Sequence, residues 1–239
     1  AGAVPPCAAI DLGVLEEVKT RYDAFDADRN LVIKRSRDVT KGAKNAIYAL
    51  QRSDFRKADA ELRQCAQEAS AIYSELASQT PTLRGGGSFS GALEELAEAL
   101  AFRSFRRDRR LISRSEMQSE SGLSFPLALH EYLGGLMDLT GEVGRLAIRS
   151  TQRGRKAVPE VELCLACVDA VHAGMKELPY LPCGLGKKMG ALRSTLAKIE
   201  GALYELALLS QGMRVQAPAA AAEGDDADAA REDAVASRM

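Results

Sequence analysis

Apolar residues recur at intervals of three and four along most of this chain, which is the spacing of one face of an α-helix. The first run extends from residue 10 to residue 52 without a proline. It predicts either one very long helix or two helices broken near residues 26–30. The apolar positions of this run are Leu12, Leu15, Val18, Tyr22, Phe25, Leu31, Ile33, Val39, Ala43, Ile47 and Leu50. As a single element, a helix of about 40 residues would be roughly 60 Å long.

The remaining apolar runs are shorter and are separated by breaks. Ser53-Asp54 has the form of an N-cap, and it predicts a second helix that continues to about Leu76. A proline and a cluster of glycines then predict a flexible connector over residues 78–91. Further helices are predicted over residues 92–112, 127–153, 159–177 and 185–211, with a polar loop at 113–125 and Pro126 in the first turn of the helix that follows. No segment predicts a β-strand, so the pattern indicates an all-α protein.

Composition divides the chain into a helical domain and two irregular ends. Ala, Leu, Glu and Arg dominate, as in helix-rich proteins, and tryptophan is absent. We expect a loose lead-in at residues 1–9, one helical domain over residues 10–212, and a disordered Ala- and Asp-rich tail over residues 213–239. Residues 217–239 carry a net charge of −4, so that the rest of the chain carries +3. A mildly basic domain permits nucleic acid as a partner without requiring it.

The sequence also bears on the cellular compartment. No apolar run reaches the roughly 18 residues that a membrane-spanning helix needs. The five cysteines are odd in number and widely scattered, which indicates a reducing compartment rather than a disulfide framework. We therefore expect the cytoplasm, with the nucleus as a second location. The chain begins at Ala1, and both a trimmed N-terminus and a removed targeting segment stay open.

Two acidic pairs lie inside strongly apolar helical stretches, where an unpartnered charge is costly to bury. Glu95 and Glu98 are spaced i,i+3, and Asp138 and Glu142 are spaced i,i+4, so each pair projects from one helix face. If the two helices pack together, four carboxylates converge and repel one another unless protons or a hard cation such as Mg²⁺ intervene. The alternative is that they lie on solvated faces or pair with nearby arginines.

The helix with the second acidic pair also contains four glycines, each of which lowers its intrinsic stability by roughly 1 kcal/mol relative to alanine. Such glycines are tolerated where another backbone or a ligand must approach closely. They are Gly134, Gly135, Gly141 and Gly144.

Basic residues follow the first acidic pair and also occur in the first helix. They are candidates for contacts with nucleic-acid phosphates, and the alternative is a solvated face that pairs with acids across subunits. The candidates are Arg103, Arg106, Arg107, Arg110, Lys34 and Arg37. Aromatic side chains are few, so we expect binding led by the phosphate backbone, with little sequence preference.

Other possible motifs are better explained by structure than by chemistry. The glycine cluster at residues 85–87 is not followed by the Lys-Ser/Thr of a phosphate loop. Cys164 and Cys167 have CxxC spacing but no second pair at zinc-site spacing, which favours a packed helix face. His130 and His172 are the only histidines, and a surface or packing role is favoured for each.

Three stretches together resemble the translin family, and its X-type subunits more than translin itself. They are Arg29-Asn-Leu-Val-Ile-Lys-Arg-Ser-Arg-Asp-Val-Thr-Lys41, Leu93-Glu-Glu-Leu-Ala-Glu-Ala-Leu-Ala-Phe102, and Tyr132-Leu-Gly-Gly-Leu-Met-Asp-Leu-Thr-Gly-Glu-Val-Gly-Arg145. The segment Lys198-Ile-Glu-Gly-Ala-Leu-Tyr204 is also similar. The resemblance thus covers about residues 20–212.

The resemblance implies a fold of seven helices that assembles into a hollow octamer, either of identical subunits or with a translin-type partner. It also implies a Mg²⁺-dependent endoribonuclease site at Glu95, Glu98, Asp138 and Glu142, acting on single-stranded or partly unpaired RNA. The alternative within the family is a non-catalytic subunit that binds single-stranded RNA or DNA. Here the basic stretch of translin is replaced by Arg84-Gly-Gly-Gly-Ser-Phe-Ser90, a difference that argues against tight autonomous DNA binding.

Overall fold

The computed structural model describes residues 13–182 and 184–211. Within these ranges the chain forms α-helices and short 3₁₀ and π segments but no β-strand, which confirms the predicted all-α class. The α-helices are α1 (Gly13–Gln51), α2 (Phe55–Ile72), α3 (Pro81–Arg84), α4 (Gly87–Asp108), α5 (Arg114–Ser121), α6 (Leu129–Ser150), α7 (Val158–Glu177) and α8 (Met189–Ser210). Since α3 is a single turn, seven longer helices build the bundle. The predicted lead-in and tail lie outside the described residues.

Helix α1 is one unbroken helix of 39 residues, so the break considered near residues 26–30 is not present. Its second half is buried at helical spacing, from Val32 through Val39 and Ala43 to Leu50, against α2 and α4. Its first half is almost entirely exposed, including Leu15, Val18 and Tyr22. The helix therefore extends beyond the core of its own subunit.

The prediction of a flexible connector over residues 78–91 is wrong for most of its length, because α3 lies within it and α4 begins before its end. Helix α4 begins at Gly87, five residues earlier than expected, after Gly86 in an extended conformation. Phe89 explains the early start, because its side chain is completely buried. Ser90 adds a hydrogen bond of 2.9 Å from its hydroxyl to the buried Glu131 carboxylate of α6. The energy of burying an aromatic ring outweighs the low helix propensity of the glycines.

The predicted loop at 113–125 contains helix α5, so this prediction is also wrong. A capping box begins the helix: the Glu116 amide donates to the Ser113 hydroxyl, and the Ser113 amide donates to the Glu116 carboxylate. Hydrogen bonds to the Glu116 carboxylate from the Ser113 hydroxyl, the Ser113 amide and the Arg110 side chain lower the pKa of Glu116 to about 2. Pro126 does not lie in the first turn of the next helix, because α6 begins only at Leu129.

Helices α4 and α6 form the centre of the bundle, with α1 and α2 on one side and α7 and α8 on the other. Gly135 allows the central pair to approach backbone to backbone. A methyl group at this position would lie 2.7 Å from the Glu98 amide nitrogen and 2.7 Å from the Ala97 Cβ of α4. The helices that carry the two acidic pairs are therefore direct neighbours. None of the helices in the described residues is long and apolar enough to span a bilayer.

Candidate active site

All four predicted carboxylates line one pocket. Glu95 and Glu98 enter it from α4, and Asp138 and Glu142 enter it from α6. Helix α1 forms a third wall that the sequence did not predict. The wall consists of Lys44, Ile47, Tyr48 and Gln51. The cavity has a volume of about 550 Å³. The convergence that the two spacings predicted is therefore present in the fold.

Glu98 is the most deeply buried of the four, with 8% of the residue exposed. Burial, the largest cause, and the negative charges of Asp138, Glu95 and Glu142 together raise its pKa to about 8. A carboxyl group with this pKa is mainly protonated at neutral pH. The pocket therefore contains a proton donor beside three other acids, and their mutual repulsion makes the pocket attractive to cations.

Basic side chains at the pocket rim and floor compensate part of this charge. The Lys44 ammonium lies 3.2 Å from the Glu95 carboxylate, and the Arg145 guanidinium lies 3.4 Å from the Glu142 carboxylate. Gln51 donates from its side-chain nitrogen to a Glu142 carboxylate oxygen at 2.8 Å. Side chains of α1 and α6 thus hold Glu95 and Glu142 in place.

Lys188 is the strongest of these cationic contacts, and it comes from the short 3₁₀ segment Leu185–Lys188 before α8. Its ammonium group donates to both Glu94 and Asp138. Burial lowers the pKa of Lys188, but the hydrogen bonds to the two carboxylates outweigh it and leave the pKa raised. Burial also raises the pKa of Glu94.

Glu94 and Lys188 were both missed at the sequence level. Glu94 had a local signal, because it stands beside Glu95 and four residues before Glu98 on the same helix. Lys188 had none, since 50 and 94 residues separate it from its two partners. Only the packing of α8 against α6 brings it to the pocket.

The donor set of the pocket suits a hard divalent cation, because it consists of carboxylate oxygens. Gln51 offers a further oxygen: its buried Oε1 has no hydrogen-bond partner in the structure, an unusual condition for a polar atom. In the described ranges no three Asp, Glu, His or Cys side chains stand close enough together to hold a metal ion. Lys44, Arg145 and Lys188 instead draw the carboxylates toward themselves, so that metal binding would require these side chains to reorient.

Comparison with known proteins identifies the family of this chain. Residues 27–209 match the Translin family. The chain belongs to the translin family. Relatives of this translin-family chain include Translin-associated protein X from Rattus norvegicus and from Mus musculus. Each is 27% identical over 225 residues, covering 80% of this chain and 75% of the relative. The similarity to X-type proteins agrees with the resemblance found in the sequence motifs.

Solved structures share the fold of this translin-family chain. The crystal structure of apo-NeC3PO matches with a TM-score of 0.68 at 18% identity, covering 86% of this chain and 100% of that one. The AfC3PO–duplex RNA complex matches with a TM-score of 0.61 at 19% identity, covering 82% of this chain and 98% of that one. At this level of identity the likeness concerns the fold.

Two of the six predicted phosphate-binding residues of this translin-family chain are engaged inside the subunit. Arg103 contacts the carboxylates of Asp59 at 2.5 Å and Glu120 at 3.4 Å. Arg106 donates to the Leu50 carbonyl at 2.6 Å and to the Ser53 hydroxyl at 2.8 Å, at the end of α1. Burial lowers the pKa of Arg106. Both guanidinium groups therefore join helices, and any role with nucleic acid stays a prediction.

The other four candidates lie on the surface. Arg107 and Arg110 are exposed and contact Asp108 at 3.8 Å and Glu116 at 3.0 Å. Lys34 and Arg37 are exposed on α1. None of the six lines the acidic pocket. Their contribution to binding is still a prediction, and the cations nearest the carboxylates are different ones.

Cys164, Cys167 and His130 of this translin-family chain have the packing roles that the sequence favoured. Cys164 and Cys167 are buried free thiols, and burial raises the pKa of each to about 12. Such thiols are poor nucleophiles and poor metal ligands at neutral pH. The Nε2 atom of His130 lies 2.9 Å from the Ser90 hydroxyl, in a contact between α4 and α6. Neither histidine lines the acidic pocket.

Proposed function

We propose that this chain is a Mg²⁺-dependent endoribonuclease subunit of the translin type that cleaves single-stranded or partly unpaired RNA. The observation that carries the proposal is the convergence of Glu95, Glu98, Asp138 and Glu142 from two helices on one pocket. Burial, together with the negative charges of the other three carboxylates, raises the pKa of Glu98 to about 8. A fold stabilised by this cluster alone would gain more from neutral side chains, so a functional role explains it better.

The four carboxylates would hold the ion, with the free Gln51 oxygen as a further donor. A bound Mg²⁺ supplies an acidified water and positive charge that faces the phosphate. In the metal-free pocket Glu98 holds a proton because its pKa is raised to about 8, and binding of the cation would release this proton. Lys44 and Arg145 lie at the pocket mouth, where they can contact phosphate oxygens when the carboxylates turn toward the ion.

The relatives support RNA and a partner subunit as further parts of the proposal. Translin-associated protein X is named for association with translin, and the AfC3PO structure is a complex with duplex RNA. We propose that this chain likewise assembles with translin-type subunits or with copies of itself. A location in the cytoplasm or nucleus stays a prediction.

A second candidate is the non-catalytic RNA- or DNA-binding subunit of the same fold. One observation favours it: Lys188, Lys44 and Arg145 already neutralise part of the acidic pocket without any metal. In such a subunit the carboxylates would serve as partners for these cations. The two candidates differ in whether the chain cleaves RNA in the presence of Mg²⁺.

Asp138→Asn and Glu142→Gln separate the candidates. Each substitution keeps size and hydrogen bonding but removes one charge. We expect the rate of RNA cleavage in Mg²⁺ to fall by about two to four orders of magnitude. Each substitution removes a negative charge that would hold the ion, and with it the stabilisation that the ion gives the transition state. RNA binding should persist, since it rests on basic side chains. The measurement is the cleavage rate of a labelled single-stranded RNA across a Mg²⁺ titration.

Asp169→Asn is the matched control, because Asp169 is exposed on α7 and does not line the pocket. It should cleave at the parent rate. If Asp138→Asn and Glu142→Gln also cleave at the parent rate, the catalytic proposal fails. Unfolding of both variants, with Asp169→Asn stable, would show instead that the two acids are structural partners of Lys188, Gln51 and Arg145.

A further inference from the structure

A second groove lies beside the acidic pocket, between α6 and α8. Its volume is about 580 Å³. The lining residues are Gly141, Gly144, Arg145, Ile148, Arg149, Gln152, Thr195 and Lys198. Arg145 lines both this groove and the acidic pocket, so the two cavities adjoin at its side chain. A ligand bound in the acidic pocket can therefore continue into the groove.

The charge of the groove is opposite to that of the pocket. Three of its lining residues are basic, and none of those that the structure describes is acidic. Lys198 is exposed, and no carboxylate of the described chain forms an ion pair with it. Arg149 is held in place by a hydrogen bond from its guanidinium to the Gln51 carbonyl at the end of α1. Arg149 and Lys198 thus have no ion-pair partner among the described residues, whereas Arg145 is paired with Glu142 at 3.4 Å.

The floor and walls of the groove suit an extended chain with an apolar edge. Gly141 has open space where a side chain would stand, so the helix backbone is accessible there. Ile148 is 45% exposed and offers an apolar contact for a sugar or base. No aromatic side chain is among the described lining residues, so stacking that would select particular bases is not provided.

We propose that this groove binds the phosphate backbone of the single-stranded RNA on one side of the bond to be cut. Arg145 contacts the phosphate nearest the acidic pocket, while Arg149 and Lys198 contact the phosphates that follow. The inference rests on the proposed function for its substrate class. It adds the path of the strand, which runs along α6 from Glu142 toward Gln152 and against α8. The affinity of the groove for single-stranded RNA therefore depends on the length of the strand and not on its base sequence.

Lys198→Glu tests the groove by RNA binding in EDTA, where no cleavage occurs. We expect the affinity for a 12-nucleotide poly(U) RNA to fall about tenfold or more at low salt, because one phosphate contact becomes repulsive, and the salt dependence to become shallower. The affinity for the dinucleotide UpU, whose single phosphate cannot span the groove, should change much less. Fluorescence anisotropy with labelled RNAs measures both. Lys198→Ala should give a smaller loss in the same direction.

Lys176→Glu is the control, since it makes the same charge change in the last turn of α7 and lines neither cavity. It should bind both RNAs like the parent. Equal losses in Lys198→Glu and Lys176→Glu would show a long-range effect of net charge and overturn the proposal. Unchanged binding in Lys198→Glu would also overturn it.

A protein partner in the groove gives a different result. In that case Lys198→Glu would change the sedimentation of the RNA-free protein, and the RNA proposal would be overturned. The outcome is separate from the test of catalysis. Failure of the groove proposal would leave the expected Mg²⁺-dependent cleavage by Asp169→Asn and the expected defect of Asp138→Asn unaffected. Parent-rate cleavage by Asp138→Asn would instead remove the catalytic proposal and leave RNA binding in place.

Discussion

Glu98 links the electrostatics of the pocket to the stability of the whole fold. Its pKa is raised from 4.5 to about 8 in the folded chain, so the folded state binds a proton more tightly than the unfolded state. The stability that the protonated carboxyl contributes is complete below about pH 4.5 and is lost as the pH rises through about 8. Without divalent cations, the folded protein should therefore become less stable across this window.

Glu98→Gln should remove this pH dependence, because glutamine mimics the protonated carboxyl group. At pH 5 the variant and the parent should be similar. At pH 9 in EDTA the variant should be more stable by about 1–3 kcal/mol, since one pKa unit corresponds to about 1.4 kcal/mol. Urea denaturation at the two pH values measures the difference. Glu200→Gln, at an exposed position of α8, is the control. A parallel pH profile for Glu98→Gln and the parent would contradict the prediction.

Some contacts of the pocket residues could be predicted from the sequence, and others could not. The convergence of Glu95, Glu98, Asp138 and Glu142 followed from two helical spacings and from the cost of burying charge. Gln51 and Lys188 could not be found in this way, because each reaches the pocket from a helix far away in sequence. Local periodicity assigns a residue to a helix face. It does not determine which distant helix covers that face.

At the level of secondary-structure elements, the glycines of α6 differ in whether another helix packs against them. Gly135 stands against the backbone of α4, whereas a side chain at Gly141 would meet no atom within 4 Å. Gly135→Ala should destabilise the fold by about 2–4 kcal/mol, because the central helices must move apart. Gly141→Ala should stabilise it by about 0.5–1 kcal/mol through better helix propensity.

Thermal and urea denaturation of the two alanine variants tests this contrast. Each variant adds one methyl group to the same helix, so each controls for the other. Opposite signs are expected. Equal stabilisation by both substitutions would mean that α4 and α6 do not approach at Gly135 as closely as the structure has them.

The sequence predicted most helices but not all of their ends. The periodic runs located α1, α2, α7 and α8 well, because long amphipathic patterns dominate local preference. The start of α4 was missed because its glycines favour a loop, and only the burial of Phe89 compensates for them. Helix α5 had a readable signal in Ser113 and Glu116, which form a capping box. Its short length and polar composition concealed it.

At the level of the whole molecule, α1 extends beyond the core. The buried positions Val32, Val39 and Ala43 continue toward the N-terminus as the exposed residues Tyr22, Val18 and Leu15, at the same spacing of three and four. An exposed apolar stripe of this kind indicates a surface covered by another subunit. We therefore predict that α1 is part of the contact that builds an assembly of about eight subunits.

Val18→Lys should weaken this assembly, because it places a charge in the apolar stripe. Sedimentation should shift from a large species toward dimers or monomers, while the helical content stays constant. Thr20→Lys, at an exposed position two residues along the helix, adds the same charge outside the stripe and should sediment like the parent. Identical sedimentation of Val18→Lys, Thr20→Lys and the parent would contradict a role for α1 in assembly.

The late position of Lys188 in the sequence affects how the chain folds during translation. During translation Glu94, Glu98 and Asp138 leave the ribosome before Lys188 has been synthesised, since the residue lies 50 positions after Asp138. Helices α4 and α6 then meet without the cation that pairs with both Glu94 and Asp138, which weakens their docking. The nascent chain can complete this contact only when the start of α8 arrives. A ribosome-bound chain that ends before residue 185 should therefore stay open to chaperones and proteases for longer than its core suggests.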